Sequence, residues 1–293
     1  MAKNAISKDV TWSIGIYGGH SPFHLAPLEG VTNPVLTCRD VSGIPAKFVA
    51  DPFMVQVDGI WHMFFEVLNQ QTNKGEIGLA KSRTGRNWIY QQIVLTEPYH
   101  LSYPYVFEFK GDYYMTPETL AADAVCLYQA VEFPLRWSFV DCLVKGSCAD
   151  PSVFRFDGRW WMFTCSTPYQ HDTLRLYLAE DIRGPWREHP ASPIVQSNKR
   201  QARPAGRVLV LDGRIIRFAQ DCIPIYGARL RAFEAFQLTT SSYSEKENQH
   251  SPVLTASGQG WNGLGMHHVD AHPMNDGQWI ACVDGSSGTD FSL

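Results

Sequence analysis

Apolar and polar residues alternate along this chain in short runs, and five times two such runs flank an Asp-Gly or Gly-Asp pair. Ala50-Asp51-Pro52-Phe53-Met54-Val55-Gln56-Val57 leads into Asp58-Gly59 and out through Ile60-Trp61-His62-Met63-Phe64-Phe65. Ala149-Asp150-Pro151-Ser152-Val153-Phe154-Arg155-Phe156 repeats the pattern around Asp157-Gly158. Period-two alternation about a tight turn predicts β-hairpins, here near 50–66, 103–118, 150–165, 203–220 and 267–284. A third apolar run follows the first four hairpins, as in Leu174-Arg175-Leu176-Tyr177-Leu178-Ala179, and a fourth segment often opens on tryptophan, at Trp88, Trp137 and Trp186. Four strands in each repeat of roughly 50 residues is the pattern of a β-propeller blade.

Little chain follows the fifth hairpin, whereas residues 11–37 carry the pattern of a third and fourth strand. These residues are predicted to complete the last blade, which closes the ring without an exposed sheet edge. Residues 1–293 therefore read as one all-β domain, a single five-bladed β-propeller. Residues 228–251 lack Gly and Pro and would also suit a helix, but alternation at Leu230, Ala232, Glu234, Phe236 and Leu238 favours a strand. Ser241–Ser251 reads as a solvated loop, and the tryptophans read as packing between blades.

Composition narrows the partners. The 23 glycines and 18 prolines would interrupt most helices, while 44% hydrophobic residues suffice for a large core. With 25 basic against 29 acidic residues and a net charge of −4, nucleic acid is not an expected partner. Met1–Asp9 lacks the apolar stretch of a signal peptide and no run of about 18 apolar residues suggests a membrane span, so a cytoplasmic protein is expected. The seven cysteines stand singly, which suggests neither a disulfide framework nor a zinc site.

A hairpin brings the start of its first strand beside the end of its second. Eight residues before the turn glycines stand Asp51, Tyr103 and Asp150, joined by Arg203 after a two-residue insertion; His268 and Asp270 flank the fifth position. Seven residues after them stand Glu66, Glu118, Cys165, Gln220 and Asp284. One face should thus gather acids around the channel, with Arg207 and Asp221 close by. Paired carboxylates suit glycoside chemistry, in which one protonates the leaving oxygen and the other activates water or attacks the anomeric carbon. Tyr103, Tyr105, Trp160 and Trp161 are candidates to stack on sugar. Of the neighbours His267 and His268, at most one should face the channel.

The two Asp-Pro strands and the Ser102-Tyr103-Pro104 element resemble the five-bladed propeller of family 43 glycosidases. That resemblance implies Asp51 as base, Asp150 as the aspartate that tunes and orients, and a calcium ion near the axis as a possible cofactor. The fourth blade departs from the family, with Ala202 where its general acid is a glutamate, so Glu118 is the candidate acid. Trp12-Ser13-Ile14-Gly15-Ile16-Tyr17, His100-Leu101-Ser102-Tyr103-Pro104, Gln220-Asp221-Cys222 and Gly265-Met266-His267-His268-Val269-Asp270 resemble the propeller domain of plant glucosamine inositolphosphorylceramide transferases. In those proteins transfer is assigned to another domain, which implies a partner transferase. Two functions stay open. One is hydrolysis of a glycosidic bond, with Glu66, Tyr103, Arg203, Arg207, Gln220, Asp221, His268 and Asp270 contacting substrate; the other is binding of a sugar or glycolipid headgroup without cleavage.

Overall fold

A computed structural model describes residues 10–288 and contains five antiparallel sheets arranged as the five blades of a propeller. The signal-peptide reading of Met1–Asp9 lies outside the described residues. The first blade runs Ala46–Val57, Ile60–Asn69, Lys74–Ser82 and Ile89–Leu95; the second, Ser102–Phe109, Asp112–Glu118, Ala124–Glu132 and Arg136–Lys145. The third runs Ala149–Phe156, Arg159–Cys165, Leu174–Ala179 and Arg187–Glu188. The fifth is built from both ends of the chain. Val269–Pro273 and Trp279–Gly288 form its inner pair, and Val10–Ser21 adds the third strand in register from Val10↔Gly288 to Gly19↔Trp279. His24–Pro27 is the fourth strand, and Leu36 makes a further bridge to Ile14.

The core lies between blades, because each sheet buries both faces against its neighbours. One hydrophobic cluster joins Phe53 and Phe64 of the first blade to Tyr105 and Val106 of the second and Trp160 of the third; another joins Ile14 and Ile16 to Met54 and Met63. The repeated tryptophans pack here with their indole N–H satisfied locally. Trp88, Trp137 and Trp186 donate to the carbonyls of Gly85, Pro134 and Ile182 at 2.9, 3.1 and 2.9 Å. The described helical segments are three 3-10 turns, so no helix is long and apolar enough to cross a membrane.

The fourth blade corrects one expectation. Tyr243–Glu247, expected in a solvated loop, is an outer strand paired with Arg229–Leu238. The cause is Arg217, whose side chain is buried and takes both Glu245 oxygens, at 2.6 and 2.5 Å. A charge so placed needs a paired acid within reach. The inner strand of this blade is split into Arg203–Pro204 and Leu209–Leu211 around Gly206. Gly206 has φ +125°, and a Cβ there would stand 1.8 Å from the Val269 carbonyl oxygen. Gly206→Ala is expected to destabilise the protein by about 2–3 kcal/mol, through backbone strain and overpacking. Urea denaturation checks this, and an unchanged midpoint would contradict the packing described.

Candidate functional site

Three blades enter the channel face in the same way. At Asp51-Pro52, Tyr103-Pro104 and Asp150-Pro151 the ladder breaks, because proline cannot donate to it and two residues bulge out of register. The residue before each proline has φ near +50°: 52° at Asp51, 46° at Tyr103 and 52° at Asp150. Aspartate tolerates this left-handed conformation better than tyrosine, so the Tyr103 backbone holds local strain. Each bulge frees an amide N–H, and a carboxylate of the preceding blade accepts it. Asp51 N–H donates to Asp284 Oδ2 at 3.0 Å, Tyr103 N–H to Asp51 Oδ2 at 3.3 Å and Asp150 N–H to Glu118 Oε2 at 3.1 Å. The acids thus form a relay from blade five to blade three.

Arg203 neutralises one side of this relay. Its Nε donates to Asp150 Oδ2 at 2.6 Å and its Nη2 to Asp150 Oδ1 at 3.3 Å and Glu118 Oε2 at 3.4 Å. Its Nη1 reaches the Pro168 carbonyl and His171 Nδ1, while Gln220 Nε2 adds a further bond to Asp150 at 2.9 Å. Burial and the neighbouring Asp150 push Glu118 up to about 8 despite Arg203, so Glu118 keeps its proton at neutral pH.

Asp51 lies on the other side of the relay. Its nearest cationic candidates are imidazoles beyond hydrogen-bonding range, His268 Nδ1 at 3.8 Å and His267 Nε2 at 4.0 Å. Burial, then the charges of Asp284, Asp150, Glu66 and Glu118, push its carboxyl well above the usual range. About a tenth of each side chain remains accessible, 11% at Asp51 and 10% at Glu118. His267 is held by Asp284, which accepts its Nδ1–H at 2.8 Å and so directs Nε2 toward Asp51. Burial works to raise the Asp284 pKa, but His267, His268 and the Asp51 N–H hold it below the ordinary value.

The other expected site residues are distributed more widely. Glu66 faces His100 Nε2 at 3.2 Å without the alignment of a hydrogen bond. Tyr103 is sealed from solvent, and its hydroxyl bonds Ser152, the Gly206 N–H and the Gly206 carbonyl, which ties three blades together. Arg207 and Asp270 pair bidentately at 2.6 and 3.2 Å inside the channel, with Arg207 against the Phe53 and Tyr105 rings. Tyr105, Trp160 and Trp161 are likewise buried, so their rings fill the core and cannot stack on a ligand. His268 is fully buried with neither nitrogen hydrogen-bonded, and burial pushes it down to about 4, so it stays neutral. Asp221 is paired to a cluster of arginines, and burial raises the Cys165 thiol against the lowering pull of Arg203 and Thr167.

Two residues missed in the sequence complete the mouth. Tyr226, 37% exposed, lies with its ring 5.0 Å from His171, 5.2 Å from His267 and 5.2 Å from the Arg203 guanidinium. It is the aromatic surface presented above the acids. His171 and Tyr226 come from loops outside the hairpin repeat, where spacing from a turn glycine carries no information.

Ligand atoms of Asp51, His267 and Asp284 lie within 4.8 Å of one another. Calcium takes six to eight oxygens, whereas this set mixes carboxylates with imidazole, and Asp284 already accepts from Asp51 N–H, His267 N–H and His267 Nδ1. The residues do not fit calcium as arranged.

Residues 5–286 match the family described as glucosamine inositolphosphorylceramide transferase 1, N-terminal. The chain belongs to that family. Rice (Oryza sativa subsp. japonica) glucosamine inositolphosphorylceramide transferase 1 is 36% identical over 297 residues, covering 94% of this chain and 40% of the rice protein. The chain therefore spans about 40% of the length of this curated relative. Solved glycoside hydrolases share the fold of this transferase N-terminal family. The catalytic domain of the Coprinopsis cinerea GH62 α-L-arabinofuranosidase superposes with a TM-score of 0.61 at 12% identity, covering 94% of this chain and 97% of that one. A GH43 β-xylosidase/α-arabinofuranosidase from a compost metagenome gives a TM-score of 0.52 at 11% identity, covering 69% of this chain and 74% of that one. A glycoside hydrolase-like propeller is thus the architecture of this family member.

Proposed function

We propose that the channel mouth is a carbohydrate-active site in which Asp51 takes a proton from the attacking hydroxyl while Glu118 gives one to the leaving glycosidic oxygen. One observation carries this reading. Among the described ring carboxylates, Asp51 is the one without a cationic side chain inside hydrogen-bonding distance, although it is buried and still accessible. A buried carboxyl held by one backbone N–H and by no cation is costly unless function retains it. Glu118 supports the second role, since it holds its proton at neutral pH and only its Oε2 is engaged by Asp150 and Arg203. Asp150, anchored by Arg203 and Gln220, positions the arginine and raises Glu118.

A screen of aryl glycosides and oligosaccharides tests the proposal. Turnover should fall above about pH 8 as Glu118 loses the proton it must donate. A flat profile, or none of the glycosides turned over, would sink hydrolysis.

The second reading, a sugar-binding propeller that presents a glycan or glycolipid headgroup to a partner transferase, is favoured by Ala202. It is fully buried at the position where family 43 glycosidases carry their acid. Binding with no turnover by either wild type or Asp51→Asn would select it.

A further inference from the structure

Arg203 and Arg207, expected among the residues contacting substrate, are consumed by Asp150 and Asp270. A different group of cations on the fourth blade has charge to spare. Asp221 follows Gln220, the residue bound to Asp150, and therefore stands at the same end of the blade. Its side chain is fully buried, yet three arginines converge on Oδ2: Arg231 Nε at 2.9 Å, Arg200 Nη1 at 3.1 Å and Arg229 Nε at 3.7 Å. Arg231 is also paired with Glu247 at 2.6 Å. Arg200 and Arg229 share one carboxylate, with Arg229 Nη2 also donating to the Ile223 carbonyl at 3.4 Å, and 48% and 35% of their side chains are exposed.

Lys199 is exposed beside them, and its carbonyl accepts the Cys222 N–H at 2.9 Å, which pins it next to Asp221. Its charge also reaches the pocket. Burial first, then Arg203 and Lys199, push His171 down to about 4, against the pull of Asp150 and Asp172. Asp172 lies nearby, its carboxylate accepting from the Thr167 and Thr173 hydroxyls. The four cations Lys199, Arg200, Arg229 and Arg231 thus stand against Asp221, Glu247 and Asp172, a local surplus of positive charge in a chain whose net charge is −4. An arginine fork held on a buried carboxylate is oriented for bidentate contact with tetrahedral oxyanions.

We propose that Lys199, Arg200 and Arg229 form an anion subsite at the edge of the pocket that receives the phosphoryl group of a phosphorylated glycoconjugate. The inference rests on reading this face as the ligand face and names the class of ligand it takes. Asp221 acts as a positioning residue, since its buried side chain touches the arginines and leaves the open side of their guanidinium groups to the ligand.

Phosphorus NMR titration with inorganic phosphate at low ionic strength tests the subsite, with flotation on vesicles containing phosphatidylinositol against phosphatidylcholine alone as a second arm. Both arms compare wild type, Arg200→Gln/Arg229→Gln and Lys199→Glu. Removing two charge-assisted contacts should weaken phosphate binding about tenfold or more, with a smaller loss for Lys199→Glu. Capture by phosphatidylinositol vesicles alone, lost in the double variant, supports the subsite with a lipid source. Equal binding by wild type and the double variant in both arms, or no binding in either, overturns the proposal. Asp51→Asn separates this inference from the hydrolytic reading: phosphate binding should survive in it whether or not turnover does.

Discussion

Asp51→Asn is expected to reduce turnover of an accepted glycoside about 10²- to 10⁴-fold, the usual loss when a positioned acid or base is removed. The fold should survive. Asparagine tolerates the left-handed backbone of that position, φ 52°, and its carbonyl oxygen can accept the Tyr103 N–H now held at 3.3 Å. The substitution also removes one negative charge from a cluster in which Asp284, Asp150, Glu66 and Glu118 all disfavour the ionised form. The melting temperature should therefore stay level or rise while kcat falls with little change in KM. Unaltered kcat in a folded Asp51→Asn protein would remove Asp51 from the chemistry and leave the binding reading in place.

Arg203→Leu is expected to act on stability instead, costing about 3–5 kcal/mol, because breaking a buried pair strands its partner. Arg203 is 8% exposed and serves two acids, Asp150 at 2.6 Å and Glu118 at 3.4 Å. Without the guanidinium, which pulls Glu118 down, the Glu118 carboxyl would hold its proton still more tightly in the folded state than in the unfolded chain. A folded-state pKa raised in this way yields stability that is present below the unfolded value and lost as pH rises through the folded one. Glu118 is already pushed up to about 8 with Arg203 in place, so wild type and variant lose the same stability from the ordinary glutamate value up to about 8 and diverge only above it. Urea denaturation at about pH 7 and about pH 9.5 should show the larger deficit at the higher pH. A deficit equal at both pH values would mean that the loss came from packing and not from the uncompensated acids.

The blades were legible because two residue types do separable work. Proline at 52, 104 and 151 interrupts the ladder, and glycine at 59, 111 and 158 turns it, each with positive φ. Counting from the glycines brought Asp51, Asp150, Glu118, Gln220 and Asp284 to one face, where the structure connects them. Parity along a strand failed for His267 and His268, because their segment precedes the regular pairing that starts at Val269. Both side chains are buried, and His267 is the one bonded to Asp284 beside Asp51. The partners of Arg203 and Arg207 could not be read from the sequence either, since a guanidinium pairs equally well with a ligand or with an acid brought near only by folding. Tyr226, His171 and the Asp221 cluster depend on loop and inter-blade contacts that no period encodes.

The strand Val10–Ser21 has an implication for the order of events in the cell. It is translated before the four other blades, whereas its ladder partner, Trp279–Gly288, is translated after them. Four blades can therefore emerge and pair locally while Trp12, Ile14 and Ile16 wait with their apolar side chains uncovered. Ring closure is a single long-range step that follows synthesis of the final hairpin, and such non-local pairing is slow. Until it happens, the exposed strand is a natural target for chaperones and a site for exchange between two nascent copies.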